Sequence, residues 1–208
     1  MTFFNAKQRV ERLRSAQPKR QAESENRIPP GQYRTEKFPV LTYGADPKID
    51  LQTWRLRLFG MVEKPLELDW AEFTTLPTVR ITTDIHCVTR WSKLDMVWEG
   101  VPFTEILNLV SLKPEARYVM QHSCGGYTTN LPLHDLLDDE ILLAYKYDER
   151  PLAREHGGPM RLVVPRLYFW KSAKWLNGLE FMAEDQPGFW EQYGYHNHGD
   201  PWGEERFG

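Results

Sequence analysis

The chain has 208 residues, 41% of them hydrophobic and 26% charged, which suits one globular domain with a real core and excludes two full-sized ones. Aromatic residues make up 13% and are spread along the chain, which argues against general disorder, because disordered segments lack the large rings that repay ordering entropy. A net charge of -3 offers no broad positive field for phosphate backbones, so nucleic acid is not expected as a partner, and two cysteines, Cys87 and Cys124, are too few for a disulfide scaffold.

The charge is unevenly spread. Lys7, Arg9, Arg12, Arg14, Lys19, Arg20, Arg27 and Arg34 crowd the start, while Glu180, Glu184, Asp185, Glu191, Asp200, Glu204 and Glu205 crowd the end. The basic start reads either as a solvated arm or as a docking element for an acidic partner or lipid surface. No stretch approaches the roughly 18 to 20 apolar residues needed to span a bilayer, so no transmembrane segment is expected. The opening MTFFNAKQRVERLRS lacks the apolar core of a signal peptide, and Leu13 separates Arg12 from Arg14, so a cytoplasmic location is expected. The expected organisation is a basic extended arm over 1–31, one domain over 32–184, and an aromatic, acidic tail over 185–208 that packs on the domain.

In chain order, residues 4–17 have the spacing of a short helix that Pro18 and the Pro29-Pro30-Gly31 stretch end. The run 54–62 places Trp54, Leu56 and Leu58 on one face and Arg55 and Arg57 on the other, the signature of a half-buried strand, and a second strand is expected at 79–86. Phe103, Ile106, Leu107 and Val110 follow Pro102 at helical spacing and predict a helix of two to three turns over 102–110. Residues 117–123 read as a strand, 134–138 as a helical turn, and 140–147 as a strand closing at the Asp148-Glu149-Arg150-Pro151 turn. The apolar run 160–165 and the segment 175–182 complete the strands, giving an α+β domain with no internal repeat.

Three pairs of soft or borderline ligands recur: His86-Cys87, His122 with Cys124, and His196 with His198. A zinc or copper site built on them would satisfy ligand chemistry, yet none has the spacing of a recognised zinc motif, and buried filler or surface histidines explain them equally.

The context of Cys87 narrows this. ITTDIHCVTRWSKLDMVWEGVPFTEIL (81–107) delivers Cys87 from a strand into a short loop with Trp91-Ser92, then Val97-Trp98 and a Gly100-Val101-Pro102 turn, then a helix. REHGGPMRLVVPRLYFWKSAKWLNGLEF (154–181) carries a His-Gly-x-Pro-x-Arg-apolar strand and a loop ending in Lys-Trp-Leu. Together they resemble the two signatures of the sulfite oxidase superfamily, in the right order and across most of 38–182. The build is most similar to haem-free bacterial members related to the protein-methionine-sulfoxide reductase catalytic subunit.

The resemblance implies a sulfite-oxidase-type molybdopterin-binding fold of mixed β-sheets with short helices, and a molybdenum-dependent oxidoreductase. Cys87 is implied as the thiolate ligand of the metal, a soft donor suited to high-valent molybdenum held by dithiolene sulfurs. Carried over, the cofactor set is Leu41, Thr42, Cys87, Ser123, His156, Arg161, Ser172, Ala173 and Lys174, with cations and amide donors for the phosphate and pterin edges. Arg90 in the loop after Cys87, and Tyr145, are implied as catalytic, holding an anionic or polar substrate and donating a hydrogen bond near the reacting oxygen. Lys93 shares that loop, and surface charge explains Arg90 and Lys93 equally; a core position for Tyr145 and buried filler for Cys124 stay open. Tyr195 to His198 are expected to cap the funnel. No haem-binding domain, dimerisation domain or export signal is expected, which implies a small-molecule substrate and a separate electron-transfer partner. A zinc or copper protein using the same His and Cys residues, and a non-catalytic module of this fold, remain the rival readings.

Overall fold

The computed structural model describes residues 27–208, so the helix expected at 4–17 and most of the basic arm lie outside the described residues. Eleven strands among the described residues form two sheets. The first contains β1 (Tyr33–Arg34), β4 (Val79–His86), β5 (Trp91–Pro102), β8 (Leu142–Tyr147), β9 (Arg150–Pro151) and β10 (Arg161–Val163), with β1, β5, β8 and β10 in that order, β4 on β5 and β9 on β8. The second has the order β3 (Leu66–Asp69), β2 (Arg55–Gly60), β11 (Leu176–Met182), β6 (Tyr118–Ser123) and β7 (Thr128–Pro132). Only the β1/β5 and β2/β11 pairs are parallel. Three short helices, α1 (Trp70–Thr74), α2 (Phe103–Leu107) and α3 (Phe189–Gln192), punctuate the strands.

Alternation of side chains along the strands builds two cores from one sheet. Val101, Leu143 and Leu162 face the second sheet, where they meet Leu56, Leu58, Val119, Leu179 and Phe181, and α2 adds Phe103, Ile106 and Leu107. Their neighbours Leu142, Ala144 and Val163 point the other way, into a cluster with Ile85, Cys87, Trp91, Trp98 and Phe169. The first sheet is therefore buried on both faces, which is why LLA in β8 and LVV from Leu162 at β10 read as unbroken apolar runs. Each fully buried Leu or Phe contributes about 1.5–3 kcal/mol relative to exposure.

Most expected elements form. The strand expected at 54–62 is β2, with Leu56 and Leu58 fully buried, and that expected at 79–86 coincides with β4. The helical turn expected at 134–138 is a 3-10 turn over Leu133–Leu136. One expectation is corrected: the loop and turn read between Cys87 and the helix are the twelve-residue strand β5, which pairs with β4 through seven registered residues. Strands β3 and β7 and helix α1 had no counterpart in the sequence reading. Helix α1 starts from a capping box in which the Asp69 carboxylate accepts from the Glu72 N–H while the Glu72 carboxylate accepts from the Asp69 N–H.

Two glycines are fixed by close approach. A Cβ on Gly100 would lie 2.3 Å from the Leu143 carbonyl oxygen of the neighbouring strand. Gly157, at φ 106°, lies against Lys174, whose Cβ would be 2.9 Å from its own.

Candidate active site

The β4–β5 hairpin sets the position of Cys87. The Cys87 N–H donates to the Trp91 carbonyl and the Arg90 N–H to the Cys87 carbonyl, each at 2.9 Å, and Arg90 takes the left-handed conformation, φ 77°, that lets the loop close in four residues. Two distant segments hold this loop: Gln32 Nε2 donates to the Cys87 carbonyl at 3.1 Å, and Arg206 Nη1 to the Val88 carbonyl at 2.6 Å. The Cys87 side chain is free of any disulfide and accepts a hydrogen bond from Thr89 Oγ1 at 3.2 Å. Burial pushes the thiol pKa up, while the Thr89 hydrogen bonds and the charge of Arg161 pull it back.

Cys87 opens on a cavity of about 410 Å³. Five stretches wall it: Phe38, Pro39 and Leu41 to Tyr43; Cys87 to Thr89 with Trp91; the Gly125–Tyr127 turn between β6 and β7; residues of the second motif between His156 and Trp175; and the tail at Phe189, Trp190 and Tyr195. Rings dominate the walls, three cationic or titratable bases (His156, Arg161, Lys174) reach them, and no carboxylate among the described residues does.

Arg161 leaves β10 almost fully buried, at 1% exposure, because its fork satisfies backbone acceptors: Nη1 donates to the His156 carbonyl at 2.9 Å and Nη2 to the Ser172 carbonyl at 2.7 Å. Its guanidinium stacks over Phe169, 3.9 Å from the ring centre. Burial without a carboxylate lowers its pKa to about 9. Lys174 donates to Thr42 Oγ1 at 2.8 Å and to the Glu155 carbonyl at 2.6 Å, and burial followed by repulsion from Arg161 lowers its pKa to about 8. His156 lies flat under Phe38, ring centres 3.8 Å apart, and its pKa is lowered by burial and then by the Arg161 and Lys174 charges. Three bases that each hold a proton less readily than usual, facing one cavity, form a pocket short of negative charge.

Of the residues expected from sequence, Leu41, Thr42, Cys87, His156, Arg161, Ser172 and Lys174 come together in the cavity lining. Ser123 lies just outside it, buried, with a hydroxyl that has no hydrogen-bond partner among the described residues. Ala173 is buried beside the lining, its N–H donating to Gln121 Oε1 at 3.0 Å. Arg90 and Tyr145 are corrected. Arg90 is exposed and serves the hairpin turn, and Tyr145 packs edge-on against Trp70 and Phe73 in the core between the sheets, so neither lines the cavity. Lys93 is likewise turned away, donating to the Glu36 carbonyl. Tyr195 lines the cavity as expected, but His196 and His198 do not; His198 is held by Asp135 and Glu205. Cys124 is half-buried beside a separate hollow of about 280 Å³ with Arg57 and Asn177. The soft-ligand pairs do not converge: His86 bonds Ser92 and His122 bonds Glu180, and no group of three His, Cys, Asp or Glu among the described residues is placed to hold a metal ion. The sequence reading missed Phe38, Thr89, Tyr127 and Trp170; only Thr89, two residues from Cys87, carried a signal that proximity alone would have flagged.

The donor set fits a molybdenum-pterin group. One unpaired thiol supplies the soft ligand, flat rings line a space for a flat heterocycle, and clustered bases without carboxylates suit a phosphate. Fold and pocket together define the class of molybdopterin-binding oxidoreductases with a sulfite-oxidase-type fold.

The comparisons agree with that class. A family model, the oxidoreductase molybdopterin binding domain, matches residues 43–190, and the chain belongs to that family, within the sulfite oxidase superfamily. The uncharacterized oxidoreductase YuiH of Bacillus subtilis (strain 168) is 48% identical over 189 residues, covering 90% of this chain and 96% of that one. The protein-methionine-sulfoxide reductase catalytic subunit MsrP of Gluconobacter oxydans (strain 621H) is 27% identical over 186 residues, 76% of this chain and 59% of its own. Among solved structures, the sulfane dehydrogenase SoxCD from Paracoccus pantotrophus shares the fold, with a TM-score of 0.61 at 24% identity over 67% of this chain and 40% of that one. The chain is thus a molybdenum cofactor-dependent oxidoreductase, spanning nearly all of YuiH but little more than half of MsrP. No helix among the described residues is long and apolar enough to cross a membrane.

Proposed function

We propose that this oxidoreductase performs two-electron oxygen-atom transfer on a small S-oxide, N-oxide or sulfite-like substrate, with Cys87 as the protein's ligand to the metal. The observation that carries the reading is the single unpaired thiol opening on a cavity whose charged lining is wholly basic.

When bound, the molybdenum centre supplies a two-electron couple able to give or take an oxygen atom. The chain's own residues do the rest. Cys87, fixed by Gln32 and Arg206 through the loop carbonyls, presents sulfur from a rigid hairpin, and the Thr89 hydroxyl stabilises its thiolate. Lys174, positioned by Thr42 and the Glu155 carbonyl, would hold the cofactor's phosphate. Arg161, too encumbered by backbone acceptors to move, fixes the loop carrying Ser172–Lys174 and places a buried positive charge beside the thiol. His156, flat under Phe38, would help to hold the pterin. The tail rings Phe189, Trp190 and Tyr195 add apolar wall to the cavity. A separate electron-transfer partner and a cytoplasmic setting belong to the same proposal.

The test is molybdenum and pterin content of protein from a molybdate-supplied host, native against Cys87→Ser, with activity assayed using artificial donors and acceptors. The reading requires near-stoichiometric metal and pterin in the native protein and an activity loss above about 100-fold on substitution, beyond what loss of an outer-shell partner produces. Native protein carrying zinc or no pterin overturns it.

A further inference from the structure

We infer that His198 is held as a doubly protonated imidazolium that clamps the C-terminal segment onto the body of the domain, and that this clamp releases as pH rises. The inference does not depend on what Cys87 binds.

Both ring nitrogens of His198 face carboxylate oxygens. Nε2 lies 2.9 Å from Asp135 Oδ2, in the 3-10 turn Leu133–Leu136, and Nδ1 lies 3.2 Å from Glu205 Oε2, in the C-terminal segment. An ionised carboxylate only accepts hydrogen bonds, so each contact requires a proton on the facing nitrogen, and a histidine carries both protons only when charged. A neutral ring would set a bare lone pair against one of the two oxygens.

The surrounding groups leave that role to His198. His196 Nδ1 also lies 3.2 Å from Glu205 Oε2, but it accepts the N–H groups of His198 and Gly199 and so offers the carboxylate no proton. Glu205 further accepts from the Asp200 N–H at 2.8 Å. On the other side, His134 Nε2 stands 3.4 Å from Asp135 Oδ1, and the Lys171 ammonium is near enough to Asp135 for their charges to interact. The Asp135 hydrogen bond, reinforced by its charge and by Glu205, raises the His198 pKa above 6.5 against the opposing effect of burial. Because the folded protein binds this proton more tightly than the unfolded chain, the stability it contributes is complete below about pH 6.5 and is lost as pH rises through the folded value.

The clamp closes on the segment that fastens the Cys87 loop. Glu205 is followed by Arg206, whose Nη1 donates to the Val88 carbonyl at 2.6 Å. The Glu205 N–H donates to the Asp200 carbonyl and the His196 N–H to the Arg206 carbonyl, so this stretch is closed on itself and Arg206 slackens with it when His198 loses its proton. Asn197 keeps its separate ties to Asp185 and Lys171, which confines the release to the residues beyond it.

The native protein as isolated is examined in two ways. In ring 15N spectra, with the His198 signals assigned by their loss in His198→Gln, both nitrogens should be protonated at pH 6 and titrate with a midpoint above 6.5. In amide hydrogen exchange, corrected for the intrinsic effect of pH, protection over residues 199–206 should fall about fivefold between pH 6 and pH 8.5, as loss of one charged contact at a half-exposed site provides, while β6 and β11 stay unchanged. His198→Gln and Asp135→Asn should each abolish this pH dependence and leave the segment at its lower protection, whereas His134→Gln retains it. A His198 ring that is neutral at pH 6, a midpoint at or below 6.5, C-terminal protection indifferent to pH, or a pH dependence that survives both His198→Gln and Asp135→Asn overturns the inference.

Discussion

His86, next to Cys87, is buried at 5% exposure and bonds Ser92 Oγ through Nδ1 at 2.8 Å. Burial lowers its pKa to about 4, with Asp84 opposing weakly. Because the folded protein holds this ring neutral while an unfolded chain protonates it near pH 6.5, the unfolded state binds more protons between those values, and stability falls as pH drops through the window. The expected loss is about 3 kcal/mol at the limit, read from urea unfolding between pH 7 and pH 4, and His86→Gln should flatten the profile. Lys174 gives the complementary prediction: with its pKa lowered to about 8, the phosphate grip of cofactor-free protein weakens as pH rises past that value, measurable as declining affinity for free molybdopterin or inorganic phosphate. Arg161→Lys removes a fork that a point charge cannot replace, leaving the His156 and Ser172 carbonyls short of donors; a loss of about 2–3 kcal/mol in unfolding free energy and a lower metal content are expected. At this scale the site was largely legible, since Cys87, His156, Arg161 and Lys174 sit in motifs whose order along the chain is informative. Arg90 and Tyr145 were misplaced because a loop residue's direction depends on its φ, and a strand residue's on its register, neither of which spacing reveals.

Strand β5 is the element the sequence concealed. Its alternation is broken by register shifts at Thr83/Ile85 and Glu99/Gly100 and by Asp95 in the left-handed region, φ 56°, so no clean period of two survives in WSKLDMVWEGVP. Strand β2 keeps its period, and β6 and β11 were readable as apolar-rich runs although β11 also carries a shift between Leu176 and Gly178. Gly100 stands at the second of these shifts, where β5 approaches the β8 backbone. Gly100→Ala forces a methyl into the Leu143 carbonyl, and a loss of at least about 2 kcal/mol is expected, visible as a lower denaturant midpoint with unchanged slope. The cap of α1 tests a milder effect: Asp69→Ala should cost about 1 kcal/mol.

Across the whole molecule, the tail is bolted on by a buried polar network. Lys171 and Glu191 pair at 2.5 Å with side chains essentially inaccessible, and Glu191 also accepts from Thr129 and Trp170. Lys171 further donates to the Asn130 and Asn197 carbonyls, and Asn130 and Asn197 share Asp185. Glu191→Leu strands the Lys171 ammonium in the interior, at an expected cost of about 3–5 kcal/mol, whereas the double substitution Lys171→Met with Glu191→Leu should recover most of it. A tail that packs was legible from its rings; the ion pair that holds it was not, because its partners lie twenty residues apart in a chain full of similar charges.

The cavity wall begins at Phe38 and ends at Tyr195, and the Cys87 loop is fastened by Gln32 and Arg206. A ribosome delivers those parts in order, so the metal's thiol is made well before Tyr195 and Arg206, and the wall that encloses it closes only once both ends of this span have come together.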